Sequence, residues 1–325
     1  MRGASTPPLK KRGIFSMDRS IITVFGGNGF IGRALVRQLA DVGYDVRVAS
    51  RAPEKAAALA AKPGQGSIMP VYASVTDKES VRAALRGADA AINLVSILTE
   101  KGHTTFERMN VEAAENVARR ASEAKLSRFV HVSAIGAAPD APSRYGRSKA
   151  EGERRVMAAF PGAALLRPSV VFGPGDSFLT LFALMAKCLP ALPVYYPQTK
   201  LQPVFVEDVA RAAFLCLTGE HTGVFELGGP HQVTMEEIMR FVAQTVGRTP
   251  RLLSVPNGLA EIQAMLLERL PGKLLTRDQL AMLSQDNIVT SATGSFETLG
   301  VVPRSLYDRA PEYLRKISVL RTILK

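Results

Sequence analysis

Ile21-Ile22-Thr23-Val24-Phe25-Gly26-Gly27-Asn28-Gly29-Phe30-Ile31-Gly32 is a short apolar run that ends in three glycines set three apart. Directly behind it Phe30, Ile31, Leu35, Val36 and Leu39 recur at a helical period. The run suits a buried parallel strand. Gly26 allows the tight turn off that strand, and Gly29 lets backbone amides approach a pyrophosphate with no Cβ in the way. Gly32 lets the helix pack closely on the sheet. The helix N-terminus then offers phosphates its free N–H groups and the positive end of its dipole. A glycine triplet alone is a weak signal, but between a strand and a helix it is a strong one. The competing reading is a glycine-rich turn with no ligand.

Outward from this stretch the chain alternates. Strand-like runs at Asp45–Ala49, Ile68–Ala73, Ala90–Val95, Arg128–Ser133 and Ala163–Arg167 are separated by helical patterns at 29–42, 54–61, 78–86, 105–124 and 146–159. This order predicts an α/β fold with a doubly wound parallel sheet over residues 17–170. After Pro168 the regularity loosens. Helices near 177–188, 207–218, 234–246, 258–270 and 276–285 alternate with short strands at Pro203–Phe205, Val224–Leu227 and Leu252–Val255. Thr234 and Glu237 form a capping-box pair. Residues 171–310 are therefore expected to form a smaller mixed α/β lobe, interleaved with the end of the sheet. Residues 1–16 read as a disordered basic extension and 311–325 as a basic amphipathic helix, with Leu314, Ile317, Leu320, Ile323 and Leu324 on its apolar side. The other reading of that helix is one docked on its own domain. Ala260–Leu267 is a second apolar candidate for partner contact.

At 325 residues and 46% hydrophobic content the chain can bury a sizeable core. No run approaches the roughly 20 apolar residues that span a bilayer. Cys188 and Cys216 sit in apolar helical surroundings, and no Cys/His cluster has metal-ligand spacing, so no metal is expected. The net charge of +12 sits mostly in the tails, with +4 in residues 1–20 and +4 in residues 301–325. No aromatic-interleaved basic groove or recognition motif points to nucleic acid. An anionic membrane surface and an acidic partner complex explain basic tails equally well.

Two further stretches carry chemistry. The second strand ends Val46-Arg47-Val48-Ala49-Ser50-Arg51, with no acid where a free ribose 2′-hydroxyl would want one. Ser50 and Arg51 suit a 2′-phosphate, because a guanidinium offers bidentate, charge-assisted hydrogen bonds, and so favour NADP over NAD. Tyr145-Gly146-Arg147-Ser148-Lys149 places a phenol and an ammonium one turn apart on a helix. A neighbouring cation is what lowers a phenol pKa, and the same lysine can hold a nicotinamide ribose.

Several motifs over roughly residues 20–250 resemble the extended short-chain dehydrogenase/reductase superfamily and its Rossmann-type fold. They are the glycine pattern, Asn93, Asn110 in Phe106–Val111, Tyr145 with Lys149, Leu166–Asp176 and Pro203–Ala210. A closer resemblance is to the NADPH-binding accessory subunits of respiratory complex I (NADH:ubiquinone oxidoreductase alpha subcomplex subunit 9) and their proteobacterial relatives. It rests on His131-Val132-Ser133-Ala134-Ile135-Gly136-Ala137, Leu201-Gln202-Pro203-Val204, and Leu275–Leu280 through Asp286–Val289. The resemblance implies tightly bound NADPH, held by Gly26, Asn28, Gly29, Phe30, Ile31, Gly32, Ser50, Arg51, Asp77, Asn93, Val95, Ser133, Tyr145, Lys149, Arg167 and Pro168. It implies catalytic positions Tyr145, Lys149 and Ser133, vestigial in an accessory subunit. It also implies complex I subunits near the quinone-reduction site as partners. The location implied is peripheral, on the cytoplasmic face of a bacterial inner membrane or the matrix side of the mitochondrial one, with anionic lipid met by the basic C-terminal helix.

This chain departs from the active-enzyme pattern. The positions one and two past Ser133, where active members carry a carbonyl-polarising Ser or Thr, are Ala134 and Ile135. The loop Gly136–Arg144 is short and carries Pro139 and Pro142, and the aspartate used near adenine appears as Ser74, which leaves Asp77. The accessory-subunit reading therefore stands first. The alternatives are a free NADP-dependent reductase or epimerase using Tyr145 and Lys149, and a protein that senses the NADP pool.

Overall fold

A computed structural model describes residues 20–59, 65–269, 275–290 and 292–318. The first half runs β1 (Ile21–Phe25), α1 (Phe30–Asp41), β2 (Asp45–Ser50), β3 (Ile68–Tyr72), α2 (Lys78–Leu85), β4 (Ala90–Asn93), α3 (Ala113–Glu123), β5 (Arg128–Val132), α4 (Arg144–Ala159) and β6 (Ala164–Pro168). The second half runs β7 (Val171–Phe172), α5 (Phe178–Cys188), β8 (Ala191–Val194), β9 (Lys200–Leu201), β10 (Val204–Phe205), α6 (Val206–Thr218), β11 (Gly223–Leu227), β12 (Val233–Thr234), α7 (Met235–Thr245), β13 (Arg251–Ser254), α8 (Asn257–Leu267), α9 (Arg277–Leu283) and α10 (Leu306–Leu314).

Seven strands form one sheet in the order β3-β2-β1-β4-β5-β6-β11, every neighbouring pair parallel. The strand order reverses between β1 and β4, and ligands of such sheets bind in the crevice outside the carboxyl ends at that point. Alternation along each strand divides the core. Ile22, Val24, Val46, Val48, Val130 and Val132 face α1 and α6 on one side of the sheet. Phe25, Ala91, Phe129 and Leu165 face α2, α3 and α4 on the other. Strand β11 and helix α6 thus lie in the main sheet layer, although their residues fall within 171–310. A third cluster joins α5, α7 and α10 and takes in Phe30 and Ile31 of α1, which ties the smaller lobe to the glycine helix.

Several boundaries differ from the sequence expectation. The helix expected at 54–61 is a 3₁₀ segment, Pro53–Leu59, and 60 and 61 lie outside the described residues. The expected 105–124 helix begins as a π-turn, Glu107–Glu112, before α3. Helix α4 starts two residues earlier than its period suggests because Ser143 caps it, accepting from Gly146 N at 2.9 Å. The Thr234/Glu237 capping box forms.

The expected single helix over 311–325 is not present in that form. Helix α10 begins at Leu306, after Ser305 accepts from Tyr307 N at 3.1 Å, and ends at Leu314. Residues 319–325 lie outside the described residues, as do 1–19. Leu306, Ala310 and Leu314 are buried in the α5/α7 cluster and Ile317 packs against it, so this part of the apolar side is turned inward. The Tyr313 hydroxyl bonds to Asp176, Lys187 Nζ to Ile317 O, and Arg304 pairs with Asp208 at 2.8 Å. Among the described residues no helix is long and apolar enough to cross a membrane.

Candidate nucleotide-binding site

The glycine loop is built as its spacing requires. Gly26 leaves β1 at φ +79°, a region open to glycine, and its N–H bonds Ala49 O at 3.0 Å. A Cβ on Gly32 would lie 2.3 Å from Gly26 O and 2.6 Å from Gly27 Cα, so only glycine brings α1 this close. No side chain caps the N-terminus of α1, and no acid occupies its first turn. Its amides are free for an anion. Phe30 and Ile31 pack their side chains into the core, which leaves their backbone N–H groups for a ligand.

Arg33 stands in this first turn and was missed by the sequence reading, although it directly follows the third glycine. A cation is unfavourable beside a helix N-terminus unless an anion joins it. Its guanidinium donates to Asn28 O at 3.1 Å and would lie 3.6 Å from a Cβ on Gly175. Asn28 fastens the loop to the end of β2, donating to Ser50 Oγ at 3.2 Å and Ala52 O at 3.3 Å. Arg51 is exposed next to them. Across the switch point a Cβ on Gly26 would lie 3.3 Å from Val95, whose N–H donates to Asn93 Oδ1 at 3.0 Å. Asp77 lies off this cluster as the cap of α2, accepting from Ser80 N at 2.9 Å, and those hydrogen bonds hold its carboxyl below the usual range.

At the far end of the crevice the structure gathers Ser133, Tyr145 and Lys149. Lys149 is buried and its Nζ donates to Val132 O at 2.8 Å. Burial lowers it to about 8, against an upward pull from Glu153. Burial pushes the Tyr145 phenol up to about 12, opposed by a hydrogen bond with the Ser96 hydroxyl. Ser96 is itself tied to Asn110, its Oγ donating to Asn110 Oδ1 at 3.0 Å. Asn110 Nδ2 donates to Ser148 Oγ at 3.0 Å, and Ser148 donates to Tyr145 O at 2.7 Å, which closes a ring around the tyrosine. The π-turn presents Asn110 to this ring, a common use of such turns. Gly152 lets α4 approach, since a Cβ there would lie 2.2 Å from Asn110 O.

Arg167 and Pro168 end β6. The Arg167 side chain is engaged elsewhere, with Nε 2.9 Å and Nη2 2.6 Å from the Glu153 carboxylate and Nη1 3.5 Å from Glu226. Its guanidinium is thus committed to these two carboxylates. His131 lies between these groups and Asn93, its Nδ1 3.3 Å from Asn93 Nδ2, and burial, then Lys149, holds it well below its usual pKa.

The residues fit a dinucleotide on an observation independent of any motif. Ser133 Oγ and His131 Nε2 are buried with no hydrogen-bond partner, a condition that native proteins rarely leave unfilled. With the open α1 terminus at one end and these orphaned atoms at the other, the crevice is equipped along its length. Fold and site define a nucleotide-binding protein of the short-chain dehydrogenase/reductase type.

Comparison with known proteins narrows this. Residues 26–166 match the NAD(P)H-binding family model. The chain is 31% identical to NADH dehydrogenase (ubiquinone) 1 alpha subcomplex subunit 9, mitochondrial, of Arabidopsis thaliana, over 92% of this chain and 78% of that one. It belongs to the family of those alpha subcomplex subunit 9 proteins. It is also 32% identical to the ceramide reductase of Caulobacter vibrioides, over 74% of each chain. Among solved structures, the Bordetella bronchiseptica enzyme WbmG in complex with NAD superposes with a TM-score of 0.67 at 19% identity, over 94% of each chain, which shows the shared fold.

Proposed function

We propose that this chain is an accessory subunit of respiratory complex I that holds NADPH tightly as part of its architecture and does not turn it over. The observation that carries the reading is the state of Tyr145. Its hydroxyl lies buried beside Ser96, and burial pushes its pKa up to about 12. The lysine one turn on spends its ammonium on Val132 O, and no hydroxyl stands at Ala134 or Ile135 to polarise a carbonyl. A general acid works best with a pKa near the working pH. Burial moves Tyr145 away from that condition.

Bound NADPH would supply a hydride donor. The chain's own residues hold it: the α1 amides with Arg33 take the pyrophosphate, and Ser50 with Arg51 takes the 2′-phosphate. Ser133 and Lys149 take the nicotinamide side. A ligand at 1,000 times its dissociation constant adds about 4 kcal/mol of stability, which is a sufficient role without chemistry. The subunit sits near the quinone-reduction site, peripheral on the cytoplasmic face of a bacterial inner membrane or the equivalent matrix face. Exposed Arg315 and Lys316, with the residues beyond 318, meet anionic lipid or acidic neighbours.

The test is to solubilise membranes mildly, capture the protein, identify what accompanies it, and assay the eluate for nucleotide and NADH:quinone activity. Co-purification of complex I subunits with unconsumed NADPH is expected. Recovery of the protein alone, free of nucleotide, refutes the reading. The second reading, a free reductase, is favoured by the likeness to a protein named ceramide reductase and by the Tyr145/Lys149 spacing. It requires carbonyl-dependent NADPH oxidation that Tyr145→Phe abolishes.

A further inference from the structure

The segment Thr276–Thr290 lies far along the chain from the crevice yet is fastened across one end of it. The Asp278 carboxylate accepts from Arg144 N at 2.6 Å and Tyr145 N at 3.1 Å, so it caps the helix that carries the tyrosine. Nine residues on, Asn287 Nδ2 donates to Ile135 O at 3.1 Å, and its Oδ1 accepts from Ser169 Oγ at 2.7 Å. Ile135 lies two residues past Ser133, and Ser169 directly follows Pro168. The segment is thereby tied to the ends of β5, β6 and α4, the three elements that surround Ser133 and Tyr145. Its far end is held by Glu226, which accepts from Thr290 N at 2.8 Å and Thr290 Oγ1 at 2.9 Å. Its near end is a closed capping box, Thr276 with Gln279.

A carbonyl substrate of a reductase of this fold must reach the tyrosine hydroxyl and the nicotinamide from outside the strand ends. Here Tyr145 and Ser133 are almost fully buried, 7% and 4% exposed, with the segment's two polar side chains bonded to the backbone of Arg144, Tyr145 and Ile135 and to the Ser169 hydroxyl. These bonds use a carboxylate on two N–H groups and a carboxamide on one acceptor and one donor. They are the kind of contacts a polar substrate would make.

We propose that Thr276–Thr290 is an internal strap that closes the substrate side of the crevice. Asp278 and Asn287 are its clasps and act as positioning residues that exclude carbonyl substrates from the bound nicotinamide. The proposal deepens the non-turnover reading above and rests on it for the presence of nucleotide. The strap itself is a property of the chain alone.

Two readouts on the full-length protein separate these levels. The first is nitration of Tyr145 by tetranitromethane, followed by mass spectrometry, which needs no nucleotide. The second is iodide quenching of NADPH fluorescence in the loaded protein. The wild type should resist both. The double variant Asp278→Ala/Asn287→Ala should react at least about tenfold faster at Tyr145, the scale of a lost charge-assisted hydrogen-bond pair, and its NADPH should become quenchable. Ser284→Ala, on the same segment but bonded only within it, should match the wild type, and Asp278→Asn, which keeps an acceptor, should recover part of the protection. Fast nitration of wild-type Tyr145 overturns the proposal. So does a folded double variant, with native circular dichroism, that is as protected as the wild type. If the wild type holds no NADPH, the proposed function fails, and the nitration result alone decides the strap.

Discussion

Replacing Arg167 by Met tests whether this residue belongs to the fold or to the nucleotide. The guanidinium lies between two carboxylates, bidentate on Glu153 and 3.5 Å from Glu226. Those glutamates are 7% and 6% exposed at the side chain, and Arg167 itself is 21% exposed. Breaking a buried pair by removing one partner costs about 3–5 kcal/mol, because a charge is left uncompensated. Lys149 still acts on Glu153, and Thr290 still donates to Glu226. With the partial exposure, this favours the low end, about 3 kcal/mol. Unfolding entropy of about 2.1 cal/mol/K per residue over roughly 300 ordered residues converts that to a Tm about 5 °C lower. The deficit should appear in thermal melts of nucleotide-free protein, with nucleotide affinity little changed. A variant with unaltered Tm and sharply weakened NADPH binding would falsify the argument and make Arg167 a nucleotide contact.

Three other expectations follow from the site. Gly32→Ala forces α1 off the loop by about 1 Å and should cost about 2–3 kcal/mol along with nucleotide binding. Gly29→Ala, whose Cβ would meet only Gly26 O at 3.0 Å, should cost far less in the same urea titrations. Arg51→Asp should weaken NADPH by about tenfold to a hundredfold while sparing NADH, as read by fluorescence titration. His131 is held well below its usual pKa, so the unfolded chain takes up a proton first as pH falls through 6.5 and stability is lost below that point. His131→Gln should flatten that acid slope in stability measured between pH 5 and 7.

What was legible in the sequence is what local pattern encodes. The apolar run, the glycine spacing and the helix behind them fix the β1–α1 unit within a few residues, and alternation fixes the strands of the parallel sheet. Pairings between distant segments carry no such mark. Strand β8 pairs in parallel with β13, a partner almost 60 residues away, and no pattern in Ala191–Val194 names it. Asp278 reads as an ordinary acid in the first turn of its own helix, which it is, yet its carboxylate caps a helix 134 residues away. The C-terminal apolar stripe was visible, but its direction was not. Leu314 and Ile317 turn inward because α5 and α7 offer them a core. Ser96 and Arg33 had positional cues, one following the β4 asparagine and the other the third glycine, but needed the folded ring and loop to give them meaning.

The same distinction bears on how the Tyr-x-x-x-Lys spacing is weighed as a sign of catalysis. In this chain each member already has a structural task. Tyr145 closes the ring through Ser96, Asn110 and Ser148, joining the β4 loop, the π-turn and α4. Lys149 fastens α4 to the end of β5 and stands with Arg167, Glu153 and Glu226 in a buried group of two cations and two carboxylates. Loss of the lysine would leave the carboxylates in excess, which low-dielectric surroundings penalise. The fold therefore accounts for both residues without hydride transfer, and their presence alone is weak evidence for turnover. Evidence for turnover has to come from the tyrosine proton and its access to a substrate, the two points at which the Ser96 contact and the proposed Asp278–Asn287 strap bear.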